Sequence, residues 1–154
     1  MTTRFIRETL AIAGLAFQIG AVGFFWRHLP AIIPTHYGFG GTADSYGARS
    51  TLLVLPAVAV MLYGTLTAVS LFPRNFNFPV AVTDENRQRL ERIGIALLGW
   101  LKAELTWVLA YISWATIRVG LGVSGGLGWA FLPVMLTVVL GTVGIGVAQM
   151  SRVE

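Results

Sequence analysis

Four long apolar runs constrain this chain more than any other feature. They cover about residues 9–26, 51–72, 93–117 and 129–150, and each has about the twenty residues that an α-helix needs to cross a hydrocarbon core of roughly 30 Å. With 55% hydrophobic and 12% charged residues, a soluble domain of this size has too little interior for its apolar side chains. The sequence therefore predicts one all-α domain, an integral membrane protein built as a four-helix transmembrane bundle.

Charge and cysteine content narrow the functional classes. The net charge is +4, but the arginines lie in short segments beside the apolar runs, which favours topology signals and contacts with membrane lipids over nucleic-acid binding. The chain has no cysteine, which excludes disulfides, thiolate metal sites and cysteine nucleophiles. No set of nucleophile and base is apparent, so we expect a non-enzymatic protein without a metal or another cofactor. The first apolar run lacks a cleavage-site pattern and is interpreted as an uncleaved span.

The distribution of arginines predicts the orientation of the bundle. Seven arginines fall in the N-terminal segment, the connection between the second and third runs and the tail, against three on the other side. Because cytoplasmic segments carry the excess of positive charge, we expect a multi-pass protein of the inner (plasma) membrane with both termini cytoplasmic. The seven are Arg4, Arg7, Arg74, Arg87, Arg89, Arg92 and Arg152; the three are Arg27, Arg49 and Arg118.

The loop at residues 28–50 holds both histidines and is predicted to be an ordered extracytoplasmic cap. Pro30 and Pro34 fix φ and stop the first helix, and nearby glycines allow tight turns. The alternative is a metal or haem site that joins His36 with His28 or Asp44. Two histidines eight residues apart with one aspartate match no specific ligand spacing, so we expect His36 to be a hydrogen-bonded loop residue.

Lys102 and Glu104 are the charges that lie deep in an apolar run. At a separation of two residues their side chains point about 200° apart on a helix, so they are not expected to pair. Lys102 is expected to extend toward the cytoplasmic surface. Both are candidate functional residues within the membrane, and Glu104 is the deeper one, where a carboxylate needs a proton, a partner or water. Its candidate partners are Gln18, Tyr63 and Lys102 of a neighbouring chain, and the alternative role is a polar clamp between helices.

Two further patterns concern packing between helices. Tryptophans that recur every seven residues form one helix stripe, which indicates a packing seam or lipid face, with a pigment or substrate platform as the alternative. Small residues four apart allow helices to approach closely, although ordinary packing is the favoured interpretation. The tryptophans are Trp100, Trp107 and Trp114, and the small-residue pairs are Ala16 with Gly20 and Gly144 with Ala148.

Eight residues of the loop carry a family resemblance. They fit the pattern L-P-x-x-I-P-x-H-x-x-x-x-G-x-x-D-x-x-G, which resembles the signature of the domain-of-unknown-function 1648 family, small bacterial membrane proteins related to the N-terminal part of SdpI-type immunity proteins. Trp100, Lys102 and Glu104 are also similar to the family's later helix. The resemblance implies a helical membrane protein without a known reaction, whereas the immunity role belongs to longer relatives with additional spans. The loop residues are Leu29, Pro30, Ile33, Pro34, His36, Gly41, Asp44 and Gly47.

Three functions follow as hypotheses. The leading one is a non-enzymatic integral membrane protein that binds or senses a partner through the outer loop. The second is an accessory or structural subunit of a larger membrane complex, for example a photosynthetic or respiratory one. The third is a small transporter that uses Glu104. The expected partners are membrane lipids and a protein or larger membrane complex, and not nucleic acid.

Overall fold

A computed structural model describes residues 2–153 as a bundle of four helices with a small β-hairpin at one end. A 3₁₀ turn leads into the second helix and another follows it. The helices are α1 (Thr2–Phe25), α2 (Val54–Ser70), α3 (Arg87–Gly120) and α4 (Phe131–Ser151), the strands are β1 (Ile32–Tyr37) and β2 (Ala43–Ala48), and the 3₁₀ turns are Arg49–Leu53 and Pro73–Asn75.

All four helices are long and apolar enough to cross a membrane, which confirms the predicted fold class of a multi-pass membrane protein. The four segments with this property are Thr3–Phe25, Arg49–Ser70, Arg87–Gly120 and Phe131–Ser151. They agree with the apolar runs of the sequence except at their ends. The third is longer than its apolar run because the polar segment before the run continues the same helix.

α3 is the central helix, since α1, α2 and α4 all pack against it. Its 34 residues have a length of about 50 Å at the usual rise, well beyond the hydrocarbon core. Before it, the Thr83 amide donates to Asn86 Oδ1 at 2.9 Å and the Asn86 amide donates to Thr83 Oγ1 at 3.2 Å. This reciprocal pair resembles a capping box. The helix itself begins at Arg87 with Asn86 as N-cap, three residues later than a Thr83 cap predicts.

The bundle has two distinct ends. The hairpin end holds the hairpin and the α3–α4 connection at residues 121–130, which meet in an isolated bridge between Thr42 and Gly126. The terminal end holds both ends of the chain and the α2–α3 connection, since Val153 packs in one apolar cluster with Leu90 and Phe78. These are the groupings of segments that the arginine distribution predicts.

The two small-residue pairs make no close helix contact within this chain, because both pairs are exposed and a Cβ on either glycine of the pairs would meet nothing nearby. The close contacts lie elsewhere. A Cβ on Gly14 would lie 3.0 Å from Thr106 Oγ1, and one on Gly146 would lie 3.0 Å from Leu97 Cδ2. Spacing alone does not say which face of a helix meets a neighbour. The exposed pairs are Ala16 with Gly20 and Gly144 with Ala148.

The tryptophan stripe is a packing seam between α1 and α3. The Phe17 and Trp107 rings stack at 5.9 Å, and Phe25 meets Trp114 edge-on at 5.6 Å. Trp107 Nε1 also donates to the carbonyl oxygen of Leu10 at 3.0 Å. The rings therefore hold α1 against α3, in agreement with the first of the two interpretations.

Candidate functional site

The loop between α1 and α2 is a two-stranded antiparallel hairpin, a feature that the sequence did not predict. Ile33 pairs with Gly47 and Pro34 with Tyr46, and the register shifts on both sides of His36. Ile33 is almost fully buried in an apolar cluster with Leu29, Val22, Leu52 and Ile117. The base of the hairpin is therefore part of the core between the helices.

Polar contacts fasten the hairpin base to the bundle. The Tyr37 hydroxyl donates to Thr116 Oγ1 on α3 at 2.9 Å. Burial raises the pKa of the Tyr37 phenol above its ordinary value, and the Thr116 bond offsets part of that shift. After the second strand, Arg49 donates to the carbonyl oxygens of Leu29 at 3.2 Å and Trp26 at 3.4 Å, and its guanidinium lies 5.3 Å from the Trp26 ring.

The tip of the hairpin is fastened to the α3–α4 connection. The Leu127 amide donates to the Gly41 carbonyl oxygen at 2.7 Å. Gly41 has φ +76°, and a Cβ there would lie 2.5 Å from the Gly128 carbonyl oxygen. A Cβ on Gly126 would lie 1.9 Å from the Gly41 carbonyl oxygen. Both the conformation and the contact require glycine, which gives the predicted motif residue Gly41 a physical role.

The other motif residues take structural places around the hairpin. Pro30 is exposed in the turn after α1, and Pro34 is buried in β1. A Cβ on Gly47 would lie 2.9 Å from Thr35 Cγ2. His36 Nδ1 and Asp44 Oδ1 are 2.6 Å apart across the hairpin, and both side chains are exposed.

His28 lies apart from the His36–Asp44 pair, beside the rings of Phe24 and Phe25. Within residues 2–153 no three histidine, cysteine or acidic side chains form a group that could hold a metal ion. The histidine–aspartate pair gives the hairpin an exposed polar surface.

Large apolar side chains project from the hairpin end. Phe39, at the tip, is 94% exposed, and Trp129 on the α3–α4 connection is 80% exposed. Tyr46 and Ile32 are also more than half exposed on the strands. A rigid backbone thus presents aromatic rings beside a histidine–aspartate pair.

The second candidate site is a buried polar cluster that joins α1, α2 and α3. Lys102 is only 3% exposed, and its Nζ donates to Glu8 Oε1 at 2.6 Å and to Thr67 Oγ1 at 3.0 Å. The Tyr63 hydroxyl donates to Glu8 Oε2 at 3.0 Å, and the Tyr63 ring lies 4.6 Å from Lys102 Nζ. The expected extension of Lys102 toward the surface is wrong. Glu8 supplies a counter-charge inside the bundle, and an ion pair there costs less than a lone ammonium.

Sequence reasoning missed Glu8 because it was assigned to the polar segment before the first apolar run. In the structure α1 begins at Thr2 and carries Glu8 inside the helix. The available signal was charge complementarity, since a lysine within one span needs an acidic residue from another.

Glu104 points away from Lys102, as the two-residue spacing predicts. Thr142 Oγ1 on α4 donates to Glu104 Oε1, whereas Glu104 Oε2 is buried without a hydrogen-bond partner in the described part of the chain. The partners considered from this chain are engaged elsewhere: Gln18 donates to Ser113 Oγ at 2.8 Å, and Tyr63 donates to Glu8. Sequence reasoning missed Thr142, because a threonine in an apolar helix is not by itself a signal.

Glu104 lies on the wall of two neighbouring cavities between α3 and α4. Their volumes are about 570 Å³ and 330 Å³. Glu104 and Trp100 line both cavities, and Glu104 is the acidic residue in each lining. The larger cavity is otherwise apolar and aromatic, so Glu104 is the charged residue of its lining. It is lined further by Trp107, Tyr111, Phe131, Val134, Met135 and Val138.

Comparison with known proteins places the hairpin in a family. The family model described as "Domain of unknown function (DUF1648)" matches residues 11–60, which span α1 from Ala11, the hairpin and the first turns of α2. The match confirms the family predicted from the loop residues. Lys102 and Glu104 lie outside the matched segment.

One similar protein is an "Uncharacterized protein" of Archaeoglobus fulgidus, 32% identical over 93 residues, which cover 51% of this chain and 51% of that protein. The chain therefore matches about half the length of this relative. No solved structure matches the chain.

Proposed function

On the premise that residues 11–60 carry a DUF1648 domain, we propose that the protein is a non-enzymatic membrane protein that binds a protein partner through its hairpin end. The observation that supports this is a hairpin fastened at base and tip that leaves Phe39 94% exposed. In the proposed orientation the terminal end lies in the cytoplasm and the hairpin faces outward from the inner membrane.

Rigidity is the first argument for recognition. A loop that orders only on binding spends part of its interaction free energy on lost conformational freedom. Here Tyr37, Arg49 and Gly41 already hold the backbone through bonds to three other segments. The hairpin is therefore organised before any partner arrives.

The chemistry of the surface is the second argument. Exposed aromatic residues at the centre of a patch, with polar groups around them, are the usual energetic centres of protein interfaces. Phe39 and Tyr46 supply the rings, and the His36–Asp44 pair supplies hydrogen-bonding groups beside them. The matching partner has an apolar pocket for the Phe39 ring and polar groups at its rim.

The test is photo-crosslinking in native membranes with benzoylphenylalanine in place of Phe39. Phe72 is the matched control, an exposed phenylalanine at the terminal end. We expect a discrete protein adduct from position 39 that is absent from position 72 and weakened by Asp44→Asn. Only lipid adducts from position 39 would show that the ring inserts into the membrane, and the proposal would fail. An adduct with a subunit of a large membrane complex would identify the partner and support the accessory-subunit role.

A specific observation also favours a second function, the binding and transport of a small apolar molecule at Glu104. Glu104 lines an apolar cavity of about 570 Å³, its Oε2 is buried without a partner among residues 2–153, and an ionisable group inside a span is a functional candidate by default. A carboxylate in such a cavity suits an apolar amine. Flux of an apolar amine into proteoliposomes should depend on Glu104 and be lost in Glu104→Gln. Equal flux in both proteins, or none in either, would exclude this function.

A further inference from the structure

We propose that the cavity between α1, α2 and α3 at the terminal end binds the phosphate group of an anionic phospholipid. The cavity has a volume of about 390 Å³ and lies next to the buried Lys102–Glu8 pair. Neither the family description nor the proposed partner binding at the hairpin end assigns a role to it.

The charge of the lining selects an anion. Arg4, Arg7 and Lys102 bring three positive charges to the cavity and Glu8 brings one negative charge, which leaves an excess of two. Lys102 is already paired with Glu8. The two arginines therefore supply the uncompensated charge, and arginine is well suited to phosphate because its planar fork donates two parallel hydrogen bonds.

Arg7 is held at the cavity by its neighbours. A Cβ on Gly99 would lie 2.9 Å from Arg7 Nε, so the absence of a side chain at Gly99 makes room for the arginine. The guanidinium carbon lies 6.0 Å from the centre of the Trp100 ring. A cation packed in this way loses less conformational freedom when it binds an anion than a free surface arginine does.

The rest of the lining requires an amphiphile. Thr67 and Ser70 also line the cavity, and most of its other uncharged lining residues are leucine and isoleucine. A free phosphate would make no contact with the apolar part of the lining. A phospholipid places its phosphate at the arginines and its acyl chains along the apolar walls, which are Leu66, Leu71, Ile95 and Leu98.

The location of the cavity fits the same ligand. The terminal end also carries the arginine-rich segments that predict the cytoplasmic side, and the cytoplasmic leaflet is where anionic lipids attract basic residues. A phosphate-binding cavity at this depth would fix the position of α1 and α2 relative to the membrane surface.

The experiment is native mass spectrometry of the full chain in detergent, with titration of phosphatidylglycerol, phosphatidylcholine with the same acyl chains, and glycerol phosphate. We expect one saturable phosphatidylglycerol site, with binding at least about tenfold weaker for phosphatidylcholine and for glycerol phosphate. Equal affinity for phosphatidylcholine would overturn the charge argument. Glycerol phosphate that binds as tightly as the lipid would overturn the lipid assignment in favour of a free phosphate ester.

Matched variants locate the site. Arg4→Gln/Arg7→Gln removes the two uncompensated charges, and Arg74→Gln/Arg152→Gln removes two charges from the same end outside the cavity. Phosphatidylglycerol affinity should fall about tenfold or more in the first variant and stay within about twofold in the second. Equal losses would mean diffuse surface attraction and would overturn the proposal. Arg4→Gln alone, at an exposed residue, keeps the test valid if the double variant does not fold.

Discussion

Lys102 and Glu104 lie two residues apart on α3, yet their surroundings differ fundamentally. Lys102 has an acidic partner, a hydroxyl acceptor and an aromatic ring from two other helices. Glu104 has one hydroxyl donor and one free oxygen beside a large apolar cavity. The two residues illustrate two roles that a charged side chain can have inside a membrane. A fully partnered charge ties helices together, whereas a half-partnered one retains capacity for a ligand.

The largest effect should come from Glu8→Met. This change leaves Lys102, whose side chain is 3% exposed, without its counter-charge, and an unpaired buried charge costs about 3 kcal/mol or more of unfolding free energy. Reversible unfolding in mixed micelles measures it. The double variant Lys102→Met/Glu8→Met is the control and should recover most of the loss, because an apolar pair has no charge to solvate. If the double variant is as unstable as the single one, the loss does not come from an unpaired charge, and the ion pair is not what holds α1 against α3.

Thr142→Val comes next. It removes the hydroxyl donor of Glu104 and leaves the carboxylate without any partner among residues 2–153, at a cost of about 1–3 kcal/mol of unfolding free energy. Thr137→Val, one helical turn and a half earlier on α4, is the control. Its hydroxyl donates only to the Pro133 carbonyl within the same helix. If both variants lose the same stability, the Thr142–Glu104 bond contributes nothing specific.

Tyr63→Phe should have a smaller effect, because Glu8 keeps its bond to Lys102 and the ring keeps its place beside the ammonium group. A loss of about 0.5–1.5 kcal/mol is expected from one hydrogen bond, measured in the same unfolding experiment. Tyr63→Phe removes one hydroxyl donor from Glu8, and Thr142→Val removes one from Glu104. The two variants therefore compare an acid that keeps another partner with an acid that keeps none. If Tyr63→Phe loses more unfolding free energy than Thr142→Val, Glu8 depends more on its hydroxyl donor than Glu104 does, and the comparison drawn here is wrong.

Glu104→Gln should have the smallest effect on stability, within about 0.5 kcal/mol, because an amide oxygen still accepts the Thr142 bond and no charge remains to be solvated. Unfolding in micelles checks this directly. A loss comparable to that of Glu8→Met would mean that Glu104, like the Lys102–Glu8 pair, holds helices together. An unchanged fold with lost amine flux would instead assign it to ligand handling.

The spans could be predicted from sequence because their cause is local: a bilayer requires about twenty apolar residues in a row. The hairpin could not. Pro34 and Gly47 interrupt the strand pattern, and the hairpin is held by contacts with Thr116 and Leu127, which are remote in sequence. Glu104 stood out as an isolated charge.

The partners of the buried charges were beyond sequence reasoning for a related reason. Glu8 and Lys102 are 94 residues apart in the chain. Thr142 belongs to a residue type that apolar helices commonly contain, so nothing marked it as the donor to Glu104. Such pairings are fixed by which helix faces meet, and hydropathy does not encode them.

The bond between the Gly41 carbonyl and the Leu127 amide also has a mechanical consequence. α4 is the least buried of the four helices, and the residues just before it are tied to the hairpin tip. If a partner displaces the tip, this bond transmits the displacement to the start of α4, the helix that carries Thr142. A displacement of the hairpin tip would therefore be coupled through α4 to the hydrogen bond between Thr142 and Glu104. Spin labels at Phe39 and Val138 would move together if this linkage is stiff and independently if it is slack.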